Sequence, residues 1–147
     1  ISKGLANFTG YKGRLERKIA FNGAIIIDDS YNANPFAMSF AVDVLAKQAG
    51  KKIMVIGDML ELGPQSEESH KVLGQQAKAA GIDTLLAYGT FTQLAVQEFG
   101  QNATFYAADK SKLIHDLTAM LNSGTVVLVK GSHGMKMNEV VNAIMLA

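Results

Sequence analysis

The chain of 147 residues carries 14 Lys and Arg against 13 Asp and Glu, and 48% of it is hydrophobic, which is enough for one domain with a substantial core. The near-neutral balance excludes the charge pattern of nucleic-acid binding, and the absence of cysteine excludes disulfides and thiolate chemistry. Neither a membrane span of roughly 20 apolar residues nor the apolar segment of a signal peptide is visible, so a cytoplasmic location is expected. Because the chain starts at Ile1 and not at Met, we expect a piece of a longer protein, with residues 1–147 forming a single domain.

The chain opens with a predicted β-hairpin. Arg14–Phe21 and Ile25–Ile27 are strand-like runs on either side of Asn22-Gly23, a strong signal for a tight turn between antiparallel strands. A polar loop then leads to Asn34-Pro35, where Asn can cap a helix and Pro suits its first turn. This helix is predicted to run to about Ala49.

Strands and helices alternate over the rest of the chain. The predicted strands are Ile53–Ile56, Thr84–Tyr88, Ala103–Ala107 and Thr125–Val129, and helices are predicted from caps at Ser66 and Asp109, from about Thr90, and around Val140. This alternation predicts an α/β fold, a Rossmann-like three-layer sandwich. Its sheet should be mostly parallel with an N-terminal antiparallel hairpin, and helices should cover both faces.

Polar residues follow several of these strands and should share one edge of the sheet. Asp28-Asp29 follow the second strand, Asp58 follows the third, and Lys130–Gly134 follow the last. Since ligands of open α/β folds bind at the carboxyl ends of the strands, this edge is the predicted ligand site. Lys130 and the small residues behind it favour an anion there. The competing interpretations are a solvated turn at the two acids and an ordinary strand-to-helix turn after Lys130.

Other sequence features limit the ligands that the chain could bind and the reactions that it could catalyse. The chain has neither a G-x-x-x-x-G-K-[ST] phosphate loop nor a G-x-G-x-x-G fingerprint, so by itself it lacks a cradle for a triphosphate, and no spacing predicts a metal site. His70 and His115 are predicted on solvent-facing helix surfaces, whereas His133 lies at the ligand edge. Arg14 and Arg17, at the first strand, are suited to phosphate by their planar fork of donors, with a solvated strand residue as the alternative.

Four stretches resemble the C-terminal domain of the bacterial Mur ligases. They are Gly13-Arg14, Asp28–Pro35, Gly57–Gly63 and Val129–Met137, and they follow the family's order over almost the whole chain. The second stretch, Asp-Asp-Ser-Tyr-Asn-Ala-Asn-Pro, is the most specific. The likeness is greatest to those members that add D-alanyl-D-alanine to UDP-N-acetylmuramoyl-tripeptide in peptidoglycan synthesis.

The resemblance implies an ATP-dependent ligase of three domains that works through an acyl phosphate. The absent N-terminal and central domains would bind the UDP-sugar peptide and carry the phosphate loop and the magnesium ligands. The domain represented here would close over ATP and help to bind the dipeptide, and alone it is predicted to be inactive. By resemblance the catalytic residue would be Arg14, the nucleotide-binding residues Asp29, Tyr31, Asn32 and Asn34, and the residues towards the dipeptide Lys130, Gly131, Ser132 and His133.

The sequence departs from the family pattern at two places. Phe36-Ala37 stand where an acid and a serine are usual, and His133 stands where an arginine is usual.

Two other classes of protein remain as alternatives. A receiver-like signalling module also places paired acids after one strand and a lysine after a later one. Its acceptor would have to be Asp58, which comes only one helix after the acid pair. A stand-alone nucleotide-binding domain would differ only in lacking the other domains.

Overall fold

The computed structural model describes residues 14–31 and 33–145, and the following elements belong to that part of the chain. The strands are β1 (Glu16–Ile19), β2 (Ile25–Asp29), β3 (Lys51–Gly57), β4 (Thr84–Tyr88), β5 (Ala103–Phe105) and β6 (Thr125–Lys130). The helices are α1 (Pro35–Ala46), α2 (Ser66–Ala79), α3 (Thr92–Phe99), α4 (Lys110–Met120) and α5 (Asn138–Ile144), with short 3-10 turns at Gly63–Gln65 and His133–Met135.

The six strands of the described residues form one sheet in the order β1-β2-β6-β3-β4-β5. β1 pairs antiparallel with β2, and all other neighbouring pairs are parallel. One hydrophobic cluster packs α1, α2 and α3 on one face, and a second packs α4 and α5 on the other. Along β3, Met54 and Ile56 belong to the first cluster, whereas Ile53 and Val55 belong to the second, because successive strand residues point to opposite faces. The predicted fold class is therefore confirmed.

The predicted hairpin is present, although β1 is shorter than expected. Gly23 has a φ of +92°, and its N–H donates to the carbonyl oxygen of Ala20 at 3.0 Å, so the chain turns within the Asn22-Gly23 pair. At the other end Leu15 has a φ of +55°, which is outside the β region, so the strand begins at Glu16. The Leu15 N–H donates to Asp29 Oδ1 at 3.2 Å. This left-handed residue therefore ties the start of the described chain to the end of β2.

Helix α1 begins where the sequence predicts and ends earlier. The side chain of Asn34 accepts a hydrogen bond from the Ala37 N–H at 2.8 Å, as expected of a cap. The helix ends at Ala46 because β3 already begins at Lys51, which leaves only a short turn between them. Gly50 closes that turn with a φ of +93°.

The prediction that Ser66 caps α2 is wrong by one residue. The 3-10 turn Gly63–Gln65 leads directly into the helix, so Gln65 takes the capping position and Ser66 is the first helical residue. The Ser66 hydroxyl is buried and has no hydrogen-bond partner among the described residues.

Helices α2 and α3 pack so closely at Gly74 that a Cβ there would lie 2.2 Å from the carbonyl oxygen of Ala95. We expect Gly74→Ala to lower the free energy of unfolding by about 2 kcal/mol, because the backbone of α3 must move to admit the methyl group. Urea denaturation measures this change. Gln75→Ala, at the adjacent exposed position, is the control. It loses only an exposed hydrogen bond to Glu98 at 2.9 Å and should stay within about 1 kcal/mol of the unaltered protein. A Gly74→Ala protein as stable as this control would contradict the close approach.

Candidate functional site

A buried ion pair lies at the predicted ligand edge. The parallel register of β2 and β6 sets Asp29 beside Lys130, and Lys130 Nζ lies 2.8 Å from Asp29 Oδ2. The two residues are only 6% and 3% exposed. Burial raises the pKa of Asp29 above its ordinary value, while the Lys130 ammonium and the Leu15 N–H oppose that rise. The structure thus joins a residue predicted to bind nucleotide to one predicted to face the dipeptide.

The neighbouring acid, Asp28, has a different set of partners. Its Oδ2 lies 3.0 Å from Nζ of Lys18 on β1, and its Oδ1 accepts hydrogen bonds from the Ser30 N–H at 3.1 Å and the Ser30 hydroxyl at 2.6 Å. Both acids of the pair are therefore buried, so this is not a solvated turn, although Asp28 accepts an Asx-type hydrogen bond from the Ser30 N–H.

The carboxylate of Asp58 has a structural role. It accepts hydrogen bonds from the N–H groups of Thr90, Phe91 and Thr92 at 2.8, 2.9 and 3.0 Å, and so it caps the start of α3. At Gly89 a Cβ would lie 2.6 Å from this carboxylate, so the loop after β4 needs a glycine there. Asp58 is buried and fully engaged, which does not fit the accessible acceptor that a receiver-like module requires.

Three side chains from separate segments stack at the same edge. The guanidinium carbon of Arg14 lies 4.3 Å from the ring centroid of Tyr31, within the range of a cation–π contact. The ring of Tyr31 meets the ring of His133 edge-on, with centroids 5.5 Å apart. We call these three side chains the Arg14–Tyr31–His133 stack. It joins the start of β1, the loop after β2 and the loop after β6.

Two cavities flank this stack. One has a volume of about 500 Å³, which is within the range of small-ligand sites, and is lined by Lys18, Asp28, Ser30, Tyr31, His133, Asn138 and Asn142. The other, of about 290 Å³, is lined by Arg14, Leu15, Asp29, Ala37, Phe40 and Lys130. Tyr31 lines the first and Arg14 lines the second, so the contact between these side chains lies between the two spaces.

The loop after β6 is anchored by two of its predicted site residues. The Ser132 N–H donates to the carbonyl oxygen of Asp58 at 3.1 Å, and its hydroxyl oxygen accepts from the Leu60 N–H at 2.8 Å. At Gly131 a Cβ would lie 2.7 Å from the side chain of Met137 and 3.1 Å from the backbone of Gly57, so the close approach of the loop to the end of β3 favours a glycine. Lys130, Gly131 and Ser132 are all buried, whereas His133 is exposed.

The sequence predicts that His70 faces solvent, and this prediction is wrong. It is fully buried, its Nε2 accepts from the Met59 N–H at 3.0 Å, and its Nδ1 therefore donates to the carbonyl oxygen of Ser66 at 2.7 Å. The side chain thus holds the loop after β3 against α2. A signal was present in the helical spacing of the buried residues Ser66, His70, Leu73, Gly74 and Ala77. His115 is exposed, as predicted.

Asn34 and Arg17, two further residues singled out in the sequence, make contacts within the scaffold. Asn34 caps α1, and Arg17 Nη1 donates to Gln48 Oε1 at 3.3 Å. Asn32 lies outside the described residues. Within residues 14–31 and 33–145, no group of three or more His, Cys, Asp or Glu side chains could hold a metal ion. No helix in the same ranges is long and apolar enough to cross a membrane.

The fold and the residues at this edge of the sheet match those of a known protein family. The family model of the Mur ligase glutamate ligase domain matches residues 13–133, and the chain belongs to this family. It is 42% identical over 146 residues to the UDP-N-acetylmuramoyl-tripeptide–D-alanyl-D-alanine ligase of Escherichia coli (strain K12), covering 98% of this chain and 32% of that protein. It is 33% identical to the protein of the same name from Bacillus subtilis (strain 168), covering 95% and 32%.

Solved structures give the same result. A crystal structure of MurF from Acinetobacter baumannii matches with a TM-score of 0.81 at 33% identity, covering 95% of this chain and 31% of that one. The MurF ligase from Thermotoga maritima in complex with ADP matches with a TM-score of 0.78 at 28% identity, covering 94% and 31%. The chain therefore spans about a third of the length of the relatives it matches.

Proposed function

We propose that this chain is the C-terminal domain of a UDP-N-acetylmuramoyl-tripeptide–D-alanyl-D-alanine ligase. The observation that carries the proposal is the 42% identity, over 98% of the chain, to the Escherichia coli enzyme of that name. The whole protein would be a cytoplasmic, ATP-dependent enzyme of peptidoglycan synthesis. Its N-terminal and central domains would occupy the part of the relatives that this chain does not cover.

The reaction joins a carboxylate to an amine, and a carboxylate is a poor acylating agent. In the first step a carboxylate oxygen of the tripeptide attacks the γ-phosphorus of ATP, and ADP leaves. The dipeptide amine then attacks the acyl carbon of the resulting acyl phosphate, and phosphate leaves from a tetrahedral intermediate. Magnesium supplies neutralisation of the phosphate charge in such reactions, and its ligands would belong to the central domain.

In this proposal the described edge contributes binding groups and a closing surface. Arg14 is exposed and lines the smaller cavity, and its guanidinium would contact the γ-phosphate. Asp29 would contact the ribose, and the loop from Tyr31 to Asn34 the adenine. The loop from Lys130 to His133 would lie towards the dipeptide. Closure of the domain would keep water away from the acyl phosphate.

The proposal is tested with the intact protein. Supplied with ATP, magnesium and UDP-N-acetylmuramoyl-tripeptide, it should form the pentapeptide product with D-alanyl-D-alanine, detected by mass spectrometry. D-glutamate and L-alanine, offered in the same assay, should give no product. Product formation with either of these amino acids, and none with the dipeptide, would overturn the assignment.

The chain of 147 residues should be inactive without the rest of the protein, because its sequence has no phosphate loop. We expect no enzymatic release of phosphate from ATP. With only one side of the nucleotide site present, we expect a dissociation constant for ATP of roughly 1 mM, or about −4 kcal/mol. Calorimetry and a phosphate-release assay check both expectations. Micromolar binding, or ATP hydrolysis that disappears in Arg14→Ala, would show that a complete phosphate site lies within this chain.

A further inference from the structure

The Arg14–Tyr31–His133 stack carries an inference about Tyr31 that rests on the proposed function. We propose that Tyr31 is a positioning residue, which holds the guanidinium of Arg14 at the entrance of the smaller cavity, ready for the γ-phosphate. Tyr31 then supports Arg14, and the contact with adenine proposed for this loop falls to the residues that follow Tyr31. Its basis is the 4.3 Å approach of the guanidinium to the ring of Tyr31.

Arg14 needs such a support. Among the described residues no hydrogen bond or ion pair holds its guanidinium, whereas Arg17 donates to Gln48 at 3.3 Å. A free arginine side chain samples many rotamers, and ordering it against the transferring phosphoryl group in the transition state would cost free energy. The ring of Tyr31 restricts that freedom before the ligand arrives.

An aromatic ring suits this task better than a carboxylate would. The face of Tyr31 attracts the cation through its π electrons, so none of the five N–H donors of Arg14 is used. A carboxylate partner would occupy two of those donors and neutralise the charge that the phosphate needs. The ring therefore orients Arg14 and leaves its donors available for phosphate oxygens.

Tyr31 is itself braced, although its side chain is partly open to solvent. The residue is 45% exposed, and its ring is met edge-on by His133 at a centroid distance of 5.5 Å. His133 follows β6 through a loop that Ser132 anchors to the loop after β3. The ring thus has a supported position between the two cavities, from which it can define the position of Arg14.

The test is a double-mutant cycle in the intact ligase, with steady-state kinetics for ATP. Tyr31→Leu should lower kcat by about fivefold, the size expected for loss of one exposed cation–π contact, with little change in the KM for ATP. Tyr31→Phe keeps the ring and should therefore lower kcat much less than Tyr31→Leu does. In an Arg14→Ala background, Tyr31→Leu should have no further effect, because the residue it positions is gone. Tyr88→Leu is the matched control, since it removes a cation–π contact with Lys110 at 4.8 Å and should leave kcat unchanged.

Three results would overturn the positioning role of Tyr31. An equal fall in kcat for Tyr31→Leu with and without Arg14 would overturn the positioning role. A rise in the KM for ATP at unchanged kcat would also overturn it, and would assign the ring to nucleotide binding. A loss of activity in Tyr31→Phe equal to that in Tyr31→Leu would overturn it in favour of the hydroxyl group. If the unaltered enzyme adds no dipeptide, the proposed function fails first, and this role fails with it.

Discussion

Lys130→Met is expected to lower the free energy of unfolding by about 4 kcal/mol, the largest effect of any single change considered. Lys130 Nζ lies 2.8 Å from Asp29 Oδ2, and both side chains are buried in the sheet. Removing one partner of a buried pair leaves the other charge in a medium that solvates it poorly. Chemical denaturation at neutral pH measures the loss.

Two further variants separate the ion pair from simple loss of packing. Lys18→Met removes the ammonium that lies 3.0 Å from Asp28 and 3.6 Å from Glu16. Because Asp28 keeps its two hydrogen bonds from Ser30 and Lys18 is less buried than Lys130, the cost should be about 2 kcal/mol, half that of Lys130→Met. Asp29→Asn combined with Lys130→Met should be less destabilising than the sum of the two single changes, because no charge is left without a partner. Strict additivity would mean that the two side chains do not interact.

The loss in Lys130→Met should also depend on pH, with a defined sign. Without the ammonium, burial raises the pKa of Asp29 further above its ordinary value of 3.8. The folded protein then holds this proton more tightly than the unfolded chain, so stability is retained at low pH and lost as pH rises through the raised pKa. The difference from the unaltered protein should therefore be small near about pH 4 and greatest at neutral pH. A difference that is constant over this range would contradict an ionised Asp29 as its cause.

Arg14→Ala in the intact ligase should lower kcat by about a hundredfold, or about 3 kcal/mol, with a smaller change in the KM for ATP. The physical reason is that charge on the transferring phosphoryl group is stabilised more strongly in the transition state than in the bound substrate. Arg14→Lys should recover only part of the rate, because a point charge cannot reproduce the planar fork of the guanidinium. Steady-state kinetics on the three proteins measures these differences.

Arg17→Ala is the matched control for this prediction. Arg17 lies three residues further along the chain, on β1, and donates to Gln48, so its loss should leave kcat unchanged. Melting temperatures of both variants show whether either change acts through folding. Unchanged catalysis in Arg14→Ala would reject the role, and an equal loss of rate in Arg17→Ala would show that the effect is not specific to the phosphate site.

The two departures from the family pattern differ in their surroundings. Phe36, at the start of α1, is 84% exposed and makes no contact that explains its presence there. His133, which stands in place of the usual arginine, packs edge-on against Tyr31. A histidine at this position avoids placing a second guanidinium against the ring that Arg14 contacts.

Local signals in the sequence were sufficient for the elements of the fold. The Asn22-Gly23 turn, the Asn34 cap and the Asp109 cap each depend on a few adjacent residues, and the structure contains all three. The alternation of strands and helices then restricts the sheet to a mostly parallel one, and so brings the strand ends to one edge. Asp28 and Asp29, at the start of the most specific family motif, lie at that edge for the same reason.

The partners of the polar groups were decided only by the tertiary structure. Asp29 and Lys130 are 101 residues apart, and Asp58 caps a helix that begins 34 residues later, so no local pattern predicts either contact. His70 resembles a surface residue until the loop after β3 supplies the Met59 N–H that its Nε2 accepts. A strand or a turn depends on local backbone preferences, whereas the environment of a charge depends on which distant groups replace the water that it loses on burial.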